Sequence, residues 1–321
     1  MDKEKLINSL DERIHSINEN VKTVRTIFNK KQSDWSRQIQ CNEHKKPEET
    51  LKEVFNFSYS NWEEKFKEAT TGKGQEISNI MRLHSSALLA LLCFGGVSEE
   101  NPLYIDGEEY IESHFEVQNK VYYNPSSIDI VLTAKSGNRL FLESKFTEYL
   151  ENKKPPIKMA YLNFYQTLLP LIPNIPLQMV YPYKWKEKGE QIIGFTIKSK
   201  SGKREYLEGI KQCLSHIIGI SKGPGKVNSK GWQGVDKNND IKLTFGTILY
   251  ELPGTQFSSY RQFYKETIGA LKTDDIVKSL ANEHAPYVSR LNILPEVLTY
   301  QKVFSENSNF LPANIKKFYN L

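Results

Sequence analysis

Ser127-Ile128-Asp129-Ile130-Val131-Leu132-Thr133-Ala134-Lys135-Ser136-Gly137-Asn138-Arg139-Leu140-Phe141-Leu142-Glu143-Ser144-Lys145 carries two apolar, β-branched runs on either side of a turn signal. The segment predicts a β-hairpin with an acid on its first strand and an acid-x-lysine at the end of its second. Side chains alternate along a strand, so Phe141, Glu143 and Lys145 share one face and Leu140, Leu142 and Ser144 take the other. Asp129 joins the face of Glu143 in one register only. A three-residue loop over Lys135 to Gly137, with Gly137 left-handed, sets Ala134 opposite Asn138 and hence Asp129 opposite Glu143. A two-residue loop pairs Asp129 with Ser144 and separates the acids.

Two carboxylates and an ammonium on one sheet face repel and desolvate one another, a poor structural choice unless a divalent cation lies between them. The triplet alone says little, because Glu43-His44-Lys45, Glu63-Glu64-Lys65, Glu151-Asn152-Lys153 and Asp240-Ile241-Lys242 share its form. Glu143 differs in ending an apolar β-type run and in having a partner acid across a turn. The bland alternative is an exposed strand on which Glu143 and Lys145 are solvated neighbours.

Asp129 followed by Glu143-Ser144-Lys145 resembles the signature of the PD-(D/E)XK nuclease superfamily, whose fold includes the restriction endonucleases. The positions before Asp129 are Ser127 and Ile128 rather than proline, at a place the superfamily keeps loosely. Glu143-Ser144-Lys145-Phe146-Thr147-Glu148 and Leu83-His84-Ser85-Ser86 resemble an uncharacterised bacterial branch of it. The resemblance implies an α/β, restriction-endonuclease-like core over residues 71–185, with a central mixed sheet flanked by helices. An N-terminal helical region (1–70) and a C-terminal α/β elaboration (186–321), suited to substrate recognition, then complete the chain. It further implies Mg²⁺, replaceable by Mn²⁺, held by Asp129, Glu143 and the Ser144 carbonyl, with Lys145 orienting or deprotonating the attacking water while bonding a phosphate oxygen. The first helix of such cores often adds a metal-site glutamate, here Glu76. Equally, Glu76 reads as a first-turn acid favoured by the helix dipole. Glu116, on a strand before Asp129, is its rival as the auxiliary acid.

The rest of the chain is less decisive. With 321 residues, 39% hydrophobic and 12% aromatic, it has enough apolar content for a sizeable core. A net charge of +5 permits nucleic acid without demanding it. Cys41, Cys93 and Cys213 lie far apart with no CxxC, which fits a reducing cytoplasm and disfavours cysteine-rich metal sites. No apolar run reaches membrane-spanning length, and the first residues are too charged for a secretory signal, so a cytoplasmic protein without membrane contact is expected. Leu10, Ile14, Ile17, Val21, Val24 and Phe28 follow near-heptad spacing, predicting an amphipathic helix over 3–30 that packs on its own core or pairs two copies in a homodimer. More helix is expected over 47–69, Cys41 and His44 being too few for a tetrahedral zinc site.

Thr70-Thr71-Gly72-Lys73-Gly74 should be a loop before a helix over 75–94. Neither it nor Gly223-Pro224-Gly225-Lys226 completes a GxxxxGK[ST] motif, which disfavours nucleotide hydrolysis. On that helix His84 reads as a buried, hydrogen-bonded histidine or as a phosphate contact. A helix over 158–169 and a strand over 177–183 are expected to close the core, with Gln166 either touching a nucleotide or standing as an exposed amide. Beyond them follow a strand (192–198), a helix (204–220) facing Tyr206, Ile210, Cys213 and Ile217 inward, a strand (241–252) and a helix (257–271). Ser221 to Asp240 is rich in glycine and lysine. Lys222, Lys226 and Lys230 around Trp232, together with Lys73, could order on a phosphate backbone or form a solvated loop.

The expected function is a Mg²⁺-dependent endonuclease acting on double-stranded DNA, in restriction or other phage defence. A structure-selective repair nuclease or an RNase is the enzymatic alternative, and a non-catalytic DNA-binding module the alternative of another class. The acids oppose the last, since they repel phosphate. No GxSxG and no histidine beside a cysteine support a covalent hydrolase.

Overall fold

The computed structural model describes residues 3–29, 34–41, 44–70, 79–122, 125–150, 154–172, 174, 177–199 and 206–321. In chain order its elements are α1 (Lys3–Ile17), β1 (Thr23–Asn29), β2 (Asp34–Ile39), α2 (Pro47–Phe55), α3 (Trp62–Ala69), α4 (Ser86–Phe94), β3 (Leu103–Ile105), β4 (Glu108–Asn119), β5 (Ser126–Ala134) and β6 (Arg139–Lys145). There follow β7 (Ile157–Lys158), α5 (Leu162–Leu168), β8 (Leu177–Glu187), β9 (Glu190–Ser199), α6 (Leu207–Lys222), β10 (Leu243–Leu249), α7 (Thr255–Glu266), α8 (Thr273–Ser279), β11 (Leu291–Ile293), β12 (Leu298–Thr299), α9 (Tyr300–Glu306) and α10 (Ala313–Tyr319).

The fold is α/β. Its central sheet runs β11-β10-β6-β5-β4-β3, with β12 beside β10, and it is mixed: β3 to β6 are antiparallel neighbours, whereas β10 lies parallel to β6 and to β11. Every residue of β6 is buried, as expected of an apolar strand covered on both faces. Alternation assigns the covers. Ser144 Oγ meets the Tyr300 hydroxyl at 2.7 Å and the Ser86 carbonyl at 3.4 Å, on the side of α4 and α9, while Glu143 turns to His216 of α6. Helix α4 is apolar all round and correspondingly buried, and Ser85 caps it by accepting from Leu88 N at 3.3 Å. No helix among the described residues is long and apolar enough to cross a membrane.

Three expectations are corrected. The long N-terminal helix stops at Ile17, and Val24 belongs to β1, paired antiparallel with β2. Asn18-Glu19-Asn20 breaks the helix, and β-branched Thr23, Val24, Thr26 and Ile27 favour the extended chain that follows. Helix over 47–69 is split by Asn56 and Asn61, both left-handed, at φ 48° and 55°. Most consequential, the core does not close with the strand near residue 177. That segment forms a separate sheet, β7-β9-β8, and the parallel partner of β6 is β10, reached through α6. Tyr183-Lys184-Trp185-Lys186 alternates polar and aromatic positions and can cover only one face. Leu243 to Leu249 is apolar enough for a slot buried on both. The central sheet therefore runs past the expected boundary at 185 into the expected elaboration.

Candidate active site

The hairpin takes the register that a three-residue loop requires. Ala134 N donates to Asn138 O at 2.9 Å and Gly137 N to Ala134 O at 2.8 Å, with Gly137 at φ 92°. Only glycine adopts that conformation without strain. Ile130 pairs with Leu142 and Val131 with Phe141, which sets Asp129 opposite Glu143. The backbone N–H of Ser144 donates to Asp129 Oδ2 at 2.7 Å. Lys145 Nζ reaches Glu143 Oε1 at 2.5 Å, and His216 Nε2 lies 2.8 Å from Glu143 Oε2. Ser126 Oγ bonds the other ring nitrogen, Nδ1. With neutral imidazole, Nε2–H donates to the carboxylate and the serine hydroxyl donates to Nδ1.

Asp129, Glu143 and Lys145 line one cavity of about 460 Å³, together with Glu148, Glu208, Lys211, His216 and Tyr260. Burial would raise the Glu143 pKa, but the Lys145 ammonium and the interactions with His216 outweigh it and hold the carboxyl well below its usual range. Burial likewise disfavours the Lys145 ammonium, and the charges of Glu143 and Asp129 outweigh that, so the lysine stays protonated far above neutrality. Asp129 has the opposite balance. The cavity reaches its carboxyl, yet packed protein around it removes solvation, and Glu143 and Glu116 add repulsion, so its pKa is pushed well above the ordinary value. Among the described residues no cation pairs with it. Four carboxylates against two lysines make this cavity electronegative.

Glu116 falls in line with the pair. Phe115 pairs with Ile130 and Val117 with Ile128, which puts residue 116 opposite Asp129. Its φ of 49° is uncommon for a non-glycine residue and is held by Asn228, whose Nδ2 donates to the carbonyls of Phe115 at 2.6 Å and Glu116 at 2.9 Å. Glu76 and Lys73 lie outside the described residues. His84 is buried outside the cavity lining, its Nδ1 2.9 Å from Ser36 Oγ, and Gln166 is exposed and also outside the lining.

The basic segment does not hang loose. Gly225 N donates to Gln118 O at 2.7 Å, Gln118 N to Asn228 O at 3.0 Å and Lys120 N to Gly223 O at 2.9 Å, zipping it onto the edge of β4. Trp232 is 5% exposed, packs on Phe141 and Tyr287 and donates its indole N–H to Asn119 Oδ1 at 2.7 Å, so it offers no open stacking face. Lys230 pairs with Glu64 and Glu68, and Lys222 with Glu283. Of these three lysines only Lys226 is exposed along its whole residue, Lys222 and Lys230 being half-buried.

Sequence reasoning missed His216 and Tyr260. A signal for the histidine existed, since it lies three positions after Cys213 on the inward face of α6. The Tyr260 hydroxyl is buried and has no hydrogen-bond partner among the described residues. Removing an unsatisfied group costs nothing in hydrogen bonding, so Tyr260→Phe should leave stability unchanged or raise it by about 1 kcal/mol. Urea denaturation checks this, and a clear loss would reveal a partner for the hydroxyl. Among the described residues no group of three or more His, Cys, Asp or Glu side chains is arranged to hold a metal ion. Compared with protein-family models, curated proteins and solved structures, the chain matches none.

Proposed function

We propose that the protein is a divalent-cation-dependent nuclease of the PD-(D/E)XK type, cleaving phosphodiester bonds of DNA at the cavity floored by Asp129, Glu143 and Lys145. One observation carries this reading. Two carboxylates stand opposite each other on adjacent strands in the lining of an electronegative cavity, and one of them, Asp129, has no ion pair among the described residues and feels Lys145 only as a partial offset to burial and to Glu143. A phosphodiester is repelled from such a place until a cation enters.

The donor set fits Mg²⁺ or Mn²⁺, which take hard oxygen ligands. Asp129 has an oxygen to give, whereas both oxygens of Glu143 are engaged, so Lys145 or His216 must release one. Glu116 is the third carboxylate of the row. When bound, the cation supplies Lewis-acid polarisation of the phosphate and a lower pKa for water.

The remaining roles follow from the chain itself. Lys145, held charged by its acidic neighbours, donates to a phosphate oxygen and orients the attacking water rather than removing its proton. Glu143 fixes that ammonium, and His216 fixes Glu143 from its other side. The Tyr260 side chain lines the cavity, and its hydroxyl, without a partner among the described residues, becomes a donor to a substrate oxygen only if the ring shifts to expose it.

Incubating the protein with unmethylated phage DNA, plasmid and RNA, in Mg²⁺, Mn²⁺ or EDTA, tests the reading. Discrete bands from duplex DNA would indicate restriction, and preference for nicked or branched substrates would indicate repair or processing. A folded protein that cleaves none of them in either metal would overturn the proposal.

A further inference from the structure

The catalytic cavity adjoins a second one. Lys211 and Ser215, one helical turn apart on α6, line both. The second cavity encloses about 360 Å³ and takes its walls from Tyr161, Tyr165, Trp185 and Ile157. Tyr161 and Tyr165 meet edge-to-face, 6.5 Å between centroids and 80° between planes. Trp185 lies down against its own sheet because residue 194 is glycine. A Cβ there would come within 2.9 Å of two indole atoms and 2.2 Å of the Ile157 carbonyl.

The charges around this cavity are matched. Lys158 and Glu187 pair at 3.2 Å, and so do Lys211 and Glu208. Among the described residues it therefore offers a phosphate no unbalanced charge, but aromatic walls with a few hydroxyl and amine donors at the edge, which suit a flat, neutral, polar-edged ring. Outside, Lys184, Lys186 and Lys188 of the β8–β9 hairpin are exposed and have no ion-pair partner among the described residues. Alternation turns Lys184 and Lys186 to the face opposite Trp185. Aromatic side chains on which a base can stack are one half of the combination that holds single-stranded nucleic acid; the lysines face away from the cavity and add only general attraction for a phosphate backbone.

We propose that the aromatic cavity receives an unpaired nucleobase of the strand whose phosphate lies over Asp129 and Glu143, so that the preferred substrate carries an unpaired nucleotide at the cleavage position. The link to cleavage rests on the nuclease reading, whereas the binding itself does not.

Anisotropy of a labelled oligothymidylate, with Ca²⁺ in place of Mg²⁺ so that a cation offsets the acids, tests binding separately from turnover. The wild type should bind the single strand roughly tenfold more tightly than the same strand paired with oligoadenylate, the effect of one base stacked on an aromatic ring. Moving an abasic site along the oligonucleotide should find a position that costs about the same factor. Trp185→Ala should lose that sensitivity and Trp185→Phe keep it. Equal affinity for single strand and duplex, or an abasic scan without a sensitive position, would overturn the proposal using wild-type protein alone. So would a folded Trp185→Ala that binds as the wild type does. Base-sensitive binding with no cleavage in Mg²⁺ would remove the nuclease reading and leave the cavity's role standing. Cleavage of a substrate carrying an unpaired nucleotide at the wild-type rate by Trp185→Ala would do the reverse.

Discussion

Glu143→Gln is expected to lower Mg²⁺-dependent cleavage by about a thousandfold or more while leaving the protein folded. A cation that stabilises developing charge contributes several kcal/mol, and each 1.36 kcal/mol is a factor of about ten. The amide is a weaker ligand and a weaker anchor for the Lys145 ammonium. It still fits, because its oxygen can accept from Lys145 while its NH₂ faces His216, which can change tautomer and donate through Nδ1 to Ser126. Glu143→Ala is different. The side chains of Glu143 and Lys145 are only 4% and 8% exposed, and deleting one partner of a buried pair strands the other charge, at a cost of about 3–5 kcal/mol. Loss of activity in the alanine variant therefore confounds chemistry with folding.

The pH dependence separates the two further. The Glu143 pKa is depressed, so its contribution to stability is present above the ordinary value of 4.5 and is lost as pH falls below it toward the folded value. The stability gap between wild type and Glu143→Gln should be widest near neutrality and close in acid, as read by urea denaturation at several pH values. Full cleavage by a folded Glu143→Gln would remove this carboxylate from the chemistry.

The pair at the centre of this site was legible because its placement depends on local rules. A period of two and one glycine fix the hairpin, and Gly137 at φ 92° selects the loop length that sets Asp129 opposite Glu143. What escaped was non-local. Leu243 to Leu249 is apolar on both faces, but this decides its place beside β6, ahead of Leu177 to Tyr183, only once both faces of the sheet are known to be covered. His216 comes from a helix more than seventy residues after Glu143, a pairing that propensity cannot supply. The surroundings of the basic loop were illegible for a related reason. Composition reports charge but not the glutamates that meet it, and Glu64, Glu68 and Glu283 neutralise Lys230 and Lys222 from distant elements.

Asp129→Asn is expected to make the metal-free protein more stable and to abolish its stabilisation by Mg²⁺. The Asp129 pKa is raised by lost solvation and by the charge of Glu143, so its favourable contribution exists in acid and is lost as pH rises through the folded value. At neutral pH without metal the ionised carboxyl is then a cost to the fold. The amide removes that cost and its oxygen can still accept the Ser144 N–H now bonded at 2.7 Å. Exchanging a carboxyl of raised pKa for a neutral group of the same shape gains on the order of 1 kcal/mol or more at neutral pH. A cation that binds only the folded wild type adds about 2.7 kcal/mol at a hundred times its dissociation constant. Melting curves in EDTA and in Mg²⁺ should therefore cross: the variant higher without metal, and the wild type alone rising when metal is added. Parallel Mg²⁺ shifts in the two proteins would place the cation elsewhere, even if cleavage were lost. A less stable variant in EDTA would mean that Asp129 is neutral at rest or already balanced by a charge beyond the described residues.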